Sequence, residues 1–159
     1  QFHHWVRTVP AIGRIVVPAA EPALDAVLKM GCWSEVEKVS SHRGQLADWQ
    51  AEAQSDDFSI FDVFYRGVLQ GRVTWSHTGA HNISNALVTL AAAHHIGVQP
   101  KDGITALCQF RGVKRRMELL ATVAGIAVYD DFAHHPTAIV CVWECIKIDW
   151  RQPQHVQMR

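Results

Sequence analysis

Two runs of β-forming residues, Phe58 to Tyr65 and Val68 to Trp75, flank the dipeptide Arg66-Gly67 and read as a β-hairpin. A breaker, His77-Thr78-Gly79-Ala80, follows. Behind it comes a strong helix pattern from about Asn82 to Ile96, with Ile83, Leu87, Leu90 and Ala91 on one stripe and Gly97 at its close. The same alternation runs upstream. Arg14 to Pro18 reads as a short buried strand, and Glu21 to Met30 as a helix with Leu24, Val27 and Leu28 on one side and Gly31 at its C-terminal cap. Strand–helix alternation of this kind is an α/β signature.

The rest of the chain divides around these elements. Gln1 to Pro10 has Phe2, Trp5 and Val6 at helical spacing, and Pro10 ends the pattern. Gly31 to Ser55 is polar with scattered Trp33 and Trp49, and reads as loop and short strand. A helix from Pro100 to Phe110 opens with Pro and an Asp in its first turn. Arg111 to Arg116 is a basic linker. Met117 to Val123 and Ile126 to Asp130 are two further strand-like runs about Gly125, and Pro136 opens another helix. A new strand–loop–helix unit after the linker places a domain boundary near 111–116.

Composition narrows the functional classes. With 159 residues and 48% apolar content the chain can bury a core, at the size of one domain or a little more. Acids and bases balance at 15 each, so no long-range field draws it to nucleic acid or an anionic membrane. No apolar run reaches the ~18–20 residues that span a bilayer, and Gln1 to Val6 lacks the layout of a secretory signal. A cytoplasmic protein is expected. The four cysteines, Cys32, Cys108, Cys141 and Cys145, contain no C-x-x-C pair and read as reduced thiols.

Three clusters carry chemistry. Gly79-Ala80-His81-Asn82-Ile83-Ser84-Asn85-Ala86-Leu87 sits at a helix start, where free N–H groups and the dipole favour anions. Asn82 and Asn85 project from one face of the first turn, and a carboxamide can pair with the adenine edge. Asn82 acting only as an N-cap is the plain alternative. Gly112-Val113-Lys114-Arg115-Arg116-Met117-Glu118 offers guanidinium forks suited to phosphate, or is simply a solvated linker. Val128-Tyr129-Asp130-Asp131-Phe132-Ala133-His134-His135-Pro136 lies between a strand and a helix. A carboxylate there can accept from ribose hydroxyls or hold a hydrated magnesium ion. A zinc site of Asp130, Asp131, His134 and His135 is the rival reading, although adjacent histidines seldom aim at one metal.

In this order the clusters resemble the Mur ligase family of ATP-dependent amide ligases, whose pattern is H-N-x-x-N-A-L, then G-x-x-R-R-[MF]-E, then D-[DY]-[FYA]-x-H-x-P. The matching residues are His81 to Leu87, Gly112 to Glu118 and Asp130 to Pro136. The opening Phe2 to Pro10 looks most like the branch that joins a murein tripeptide to UDP-N-acetylmuramate in cell-wall recycling. The branch that adds L-alanine to the same sugar nucleotide is the nearest competitor.

The resemblance covers about residues 1–139. It implies an α/β fold: the later part of a Mur ligase central ATPase domain, a mixed sheet with helices, over residues 1–111, and the start of a Rossmann-like C-terminal domain over 112–139. Residues 140–159 depart from the family as a divergent tail. By position, Asn82, Asn85, Arg116, Asp131 and His134 are implied as nucleotide-site residues, Arg116 also with a catalytic role.

The implied cofactors are ATP and Mg²⁺, and the implied partners UDP-N-acetylmuramate and the murein tripeptide, with no nucleic acid and no membrane. The family's phosphate loop, G-x-x-G-K-[ST]-[ST], does not occur in these 159 residues. In the family it lies upstream with the magnesium-binding residues. The chain is therefore expected to be a ligase fragment with little activity of its own and an exposed sheet edge. A non-catalytic nucleotide-binding module and a small metalloprotein are the alternatives.

Overall fold

The computed structural model describes residues 1–150, the side chains of residues 144 and 148–150 aside; the polar end of the expected divergent tail, 151–159, lies outside them. Helix α1 (Phe2–Thr8) leads into strand β1 (Arg14–Pro18). Helix α2 (Pro22–Lys29) crosses to β2 (Glu35–Ser40), and β3 (Trp49–Ala53), β4 (Ile60–Tyr65) and β5 (Val68–Thr74) follow. The five strands form one mixed sheet in sequential order, with β1, β2 and β3 parallel and the β3–β4 and β4–β5 pairs antiparallel. Helix α3 (Ala80–His95) packs across β1, β2 and β3, and α4 (Pro100–Gln109) packs on β5 and α3.

The helix stripe read from the sequence makes this core. Ile83, Leu87, Leu90 and Ala91 are buried together with Val39, Trp49, Ala51, Phe61, Val63 and Val73 from the sheet and Ile104 from α4. Each fully buried aliphatic or aromatic side chain contributes about 1.5–3 kcal/mol over leaving it in water. Helix α3 stops in a Schellman motif, with Val98 N–H donating to Ala93 O at 3.0 Å and Gly97 N–H to His94 O at 3.0 Å.

Residues 31–55, read from the sequence as loop and short strand, supply two sheet strands, β2 and β3, that the pattern did not delimit. The strand Glu35-Val36-Glu37-Lys38-Val39-Ser40 hides its nature because its inward-facing residues include a carboxylate. Glu37 is 3% exposed. The Arg14 guanidinium on β1 donates to one of its oxygens, and Trp49 Nε1 on β3 donates to the other at 3.0 Å. Burying a charge without such partners would cost several kcal/mol, so the strand is possible only once its neighbours are in place.

Beyond the linker the architecture changes. Strands β6 (Glu118–Val123) and β7 (Ile126–Asp130) form an antiparallel two-stranded hairpin, followed by α5 (Pro136–Trp150). Helix α5 runs on without a break through residues 140–150. The hairpin is open: Leu119, Leu120, Val123, Ile126 and Val128 are all exposed.

Candidate functional site

The N-terminus of α3 is built around Gly79. Its backbone (φ 92°, ψ 141°) suits glycine alone, and its neighbours leave no room for a side chain: a Cβ would lie 2.7 Å from Cys145 Sγ and 2.9 Å from the His81 ring. Among the described residues no side chain caps this helix end; the Asn82 amide donates to Gly79 O at 3.0 Å, and the dipole with the Ala80 and His81 amides stays available to a ligand. The helix starts two residues earlier than its sequence pattern, at Ala80. Asn82 is therefore the third helical residue and not the cap. Its Nδ2 donates back to Thr78 O at 2.8 Å, which fixes the carboxamide plane. Asn85 follows at the exposed side of the next turn.

The linker and the segment after β7 are tied together by Asp131. One carboxylate oxygen accepts Met117 N–H at 2.8 Å and the other accepts Ala133 N–H at 2.7 Å. Phe132 N–H donates to Arg115 O at 2.9 Å. Arg115 and Met117 both hold left-handed backbone (φ 60° and 49°), a strain of order 1 kcal/mol each that these bonds sustain. Between them stands Arg116, exposed, its guanidinium 6.0 Å from the Phe132 ring centroid and in no ion pair among the described residues. Arg115 is the paired one, its Nε 3.4 Å from Asp130 Oδ2.

His134 Nδ1 lies 2.9 Å from Phe132 O, and its ring packs edge-on against Phe132 at 5.1 Å. Burial pulls the His81 pKa below the ordinary 6.5 while the Asp131 carboxylate acts in the opposite direction. The two halves touch where Cys145 Sγ donates to Thr78 O at 3.6 Å and where Gly112 lies against the His77 ring.

The structure thus puts Asn82, with Asn85 one turn on, at the α3 start, and Arg116, Asp131 and His134 on the linker turn, with His81 under the field of Asp131. Sequence reading passed over three supporting groups. Arg115 neutralises Asp130. Glu118, whose Oε2 accepts Arg115 N–H at 2.9 Å, lies inside the quoted motif and could have been assigned from it. His77 sits edge-on to Trp75 (ring centroids 5.0 Å apart) and against Phe110 (5.3 Å), where a Cβ on Gly112 would come within 2.8 Å of it. The buried Nε2 of His77 and Nε1 of Trp75 have no hydrogen-bond partner among the described residues.

An uncapped helix end, an oriented carboxamide, an unpaired guanidinium and a carboxylate together match the parts of a nucleotide: phosphate, base edge and ribose hydroxyls. Among the described residues no three His, Cys, Asp or Glu side chains gather as metal ligands. The hollow lined by Gln1, Phe2, His4, Trp5 and Thr8 includes none of these residues.

Comparison with known proteins adds the following. No family model matches the chain. It is 45% identical over 147 residues to the UDP-N-acetylmuramate–L-alanyl-γ-D-glutamyl-meso-2,6-diaminoheptandioate ligase of Escherichia coli K12, covering 92% of this chain and 31% of that protein. A UDP-N-acetylmuramate–L-alanine ligase of Caldanaerobacter subterraneus is 33% identical over 149 residues, again 92% of this chain and 32% of the relative. The crystal structure of a murein peptide ligase from Psychrobacter arcticus superposes with a TM-score of 0.76 at 45% identity, over 93% of this chain and 31% of that one. A MurF structure from Acinetobacter baumannii, at 21% identity and a TM-score of 0.73, shares the fold. The chain spans about a third of the length of the relatives it matches.

Proposed function

From the premise that this chain belongs to the Mur ligase family, we propose that it is a segment of an ATP-dependent ligase. That ligase joins the tripeptide L-Ala-γ-D-Glu-meso-diaminopimelate to UDP-N-acetylmuramate in the cytoplasm, and serves peptidoglycan recycling. The observation that carries the reading is the α3 start, with Asn82 and Asn85 and no side-chain cap, beside the linker that bears Arg116 and Asp131: Gly112 lies against His77, and Cys145 Sγ donates to Thr78 O. The identity to the E. coli ligase, 45% against 33% for the L-alanine-adding relative, favours the tripeptide over L-alanine as acceptor.

In the proposed reaction ATP passes its γ-phosphoryl group to the sugar's carboxylate. The amine of the incoming peptide then attacks the acyl phosphate, and inorganic phosphate leaves. This chain's part is positioning and charge. The free Oδ1 of Asn82 accepts from the base. The α3 amides and the Arg116 guanidinium face phosphate oxygens, and Arg116 offsets charge developing there. Asp131 keeps a lone pair on each oxygen for a ribose hydroxyl after accepting its two amides. Asp130, next to it, is paired with Arg115, its Oδ2 3.4 Å from the Arg115 Nε.

A second reading, a nucleotide-binding module without catalysis, rests on the absence of G-x-x-G-K-[ST]-[ST] from these residues. A single-turnover assay with labelled ATP, UDP-N-acetylmuramate and tripeptide tests whether the transfer chemistry lies outside this segment. ADP formed at background rate by this chain, together with measurable ADP binding, is the expected result. Turnover above background would overturn the assignment of the transfer chemistry to residues outside this segment.

A further inference from the structure

We propose that Asp57, on the loop before β4, is a positioning residue of the nucleotide site: its backbone carbonyl fixes Gly79, and with it the first turn of α3 and the Asn82 carboxamide. The proposal rests on the nucleotide reading above for its functional consequence. The connecting bond is Gly79 N–H to Asp57 O at 2.9 Å. Gly79 O in turn accepts Asn82 N–H at 3.0 Å, and Thr78 O, one residue earlier, accepts the Asn82 side chain at 2.8 Å. Moving Gly79 therefore moves both the backbone and the side chain of Asn82. No side-chain cap replaces that restraint.

Asp57 is itself held with unusual completeness. Its Oδ1 accepts Ser55 Oγ–H at 2.6 Å, Ser59 N–H at 3.0 Å and Ser59 Oγ–H at 2.7 Å. Ser55 Oγ also accepts Ile60 N–H at 3.0 Å, tying the loop to β4, and Ser59 O accepts Trp75 N–H at 3.1 Å, tying it to the end of β5. Between Asp57 and Ser59 the chain passes through Phe58 at φ 66°, a left-handed conformation kept by packing the Phe58 ring against the core. Burial pushes the Asp57 carboxyl up, but the hydrogen bonds from Ser55 and Ser59 outweigh it and hold the group below the ordinary carboxylate range. The ionised carboxylate is the knot of the loop, and its backbone carbonyl is delivered to Gly79.

The test measures two quantities on each of four chains: wild type, Asp57→Ala, Asp57→Asn and Val63→Ala. The first is the Kd for ADP with excess Mg²⁺. The second is the hydrogen-exchange rate of the Gly79 amide. Asp57→Ala is expected to weaken ADP binding about tenfold, the scale of one lost positioning hydrogen bond, and to speed Gly79 exchange by at least as much. Asp57→Asn keeps an acceptor oxygen and is expected to stay within about threefold of wild type in both. Val63→Ala removes core packing in β4, so it should lower the melting temperature yet leave Kd within about threefold. Should Asp57→Ala fail to fold, Ser59→Ala carries the same test with an effect of about threefold, since it removes one of the three donors. Wild-type Kd and wild-type Gly79 exchange in Asp57→Ala would overturn the proposal. Equal weakening in Val63→Ala would reduce Asp57 to a stability role and overturn it as well. Absence of ADP binding by the folded wild type would overturn the nucleotide reading instead, and the Gly79 exchange rates would then decide alone whether Asp57 holds the turn.

Discussion

The sheet unit, β1 to α4, and the hairpin unit, β6 to α5, solve the same problem differently. In the first, α3 and α4 close on the five-stranded sheet and the large apolar side chains disappear from water: Trp49, Phe61, Val63 and Leu87 are fully buried. In the second, two strands and a helix leave Leu119, Leu120, Val123 and Ile126 each more than half exposed. A two-stranded hairpin has too little apolar surface to stand alone. Polar bonds fold the second unit on itself, Asp131 to the Met117 and Ala133 amides and Glu118 to Arg115 N–H, and Cys145 Sγ donates across to Thr78 O at 3.6 Å. The candidate residues fall at the seam, where a core-backed helix start adjoins a segment shaped by carboxylates. Rigidity comes from one side and adaptable charge from the other.

The comparison breaks most visibly in the core. Leu87→Ala is expected to cost about 2–5 kcal/mol, read as a fall in the urea midpoint, because it opens a cavity between α3 and the sheet. Leu120→Ala, on the exposed hairpin, should cost no more than about 0.5 kcal/mol. Equal costs would mean that the hairpin has a core of its own.

The seam gives the next effect. Gly112 holds φ 95°, and a Cβ there would meet the His77 ring at 2.8 Å. Gly112→Ala is expected to lose about 1–3 kcal/mol and to shift the linker that carries Arg116. Pairing it with His77→Ala should recover part of the loss, and a double-mutant cycle with no coupling would contradict the contact.

The smallest effect is a pH dependence. His81 has a depressed pKa in the folded chain, so the unfolded chain binds a proton more readily. Its contribution to stability is present above the ordinary value of about 6.5 and is lost as pH falls through that value and the lower folded one. Melting temperatures from pH 7.5 to 5 should therefore drop less in His81→Gln than in wild type. Because the side chain is partly exposed, the difference is small, and a steeper drop in the variant would reverse the assigned sign.

Much of the fold was legible because its signals are local. The Ile83–Leu87–Leu90–Ala91 stripe, the turn at Arg66-Gly67 and the terminal Gly97 announce themselves within a few residues. Strand β2 was not legible, since Glu37 becomes a core residue only when Arg14 and Trp49, distant in sequence, neutralise and hydrogen-bond it. The site divides the same way. Asn82, Arg116 and Asp131 are candidates that the motifs single out, but Asp131's hold on Met117 N–H and Ala133 N–H, and the choice of Arg115 over Arg116 as Asp130's partner, depend on how the linker folds back. Asp57 sits in an ordinary polar loop, and only the bond to Gly79 distinguishes it.

The most direct test of the seam as a nucleotide site is calorimetric titration of ADP with Mg²⁺ into this chain and into its Asn82→Ala and Arg116→Ala variants. The account predicts saturable binding by the wild type, weakened about tenfold or more by either substitution, the scale of one charge-assisted or positioned hydrogen bond. A cooperatively folded chain that takes up no ADP, or variants that bind as the wild type does, would contradict it.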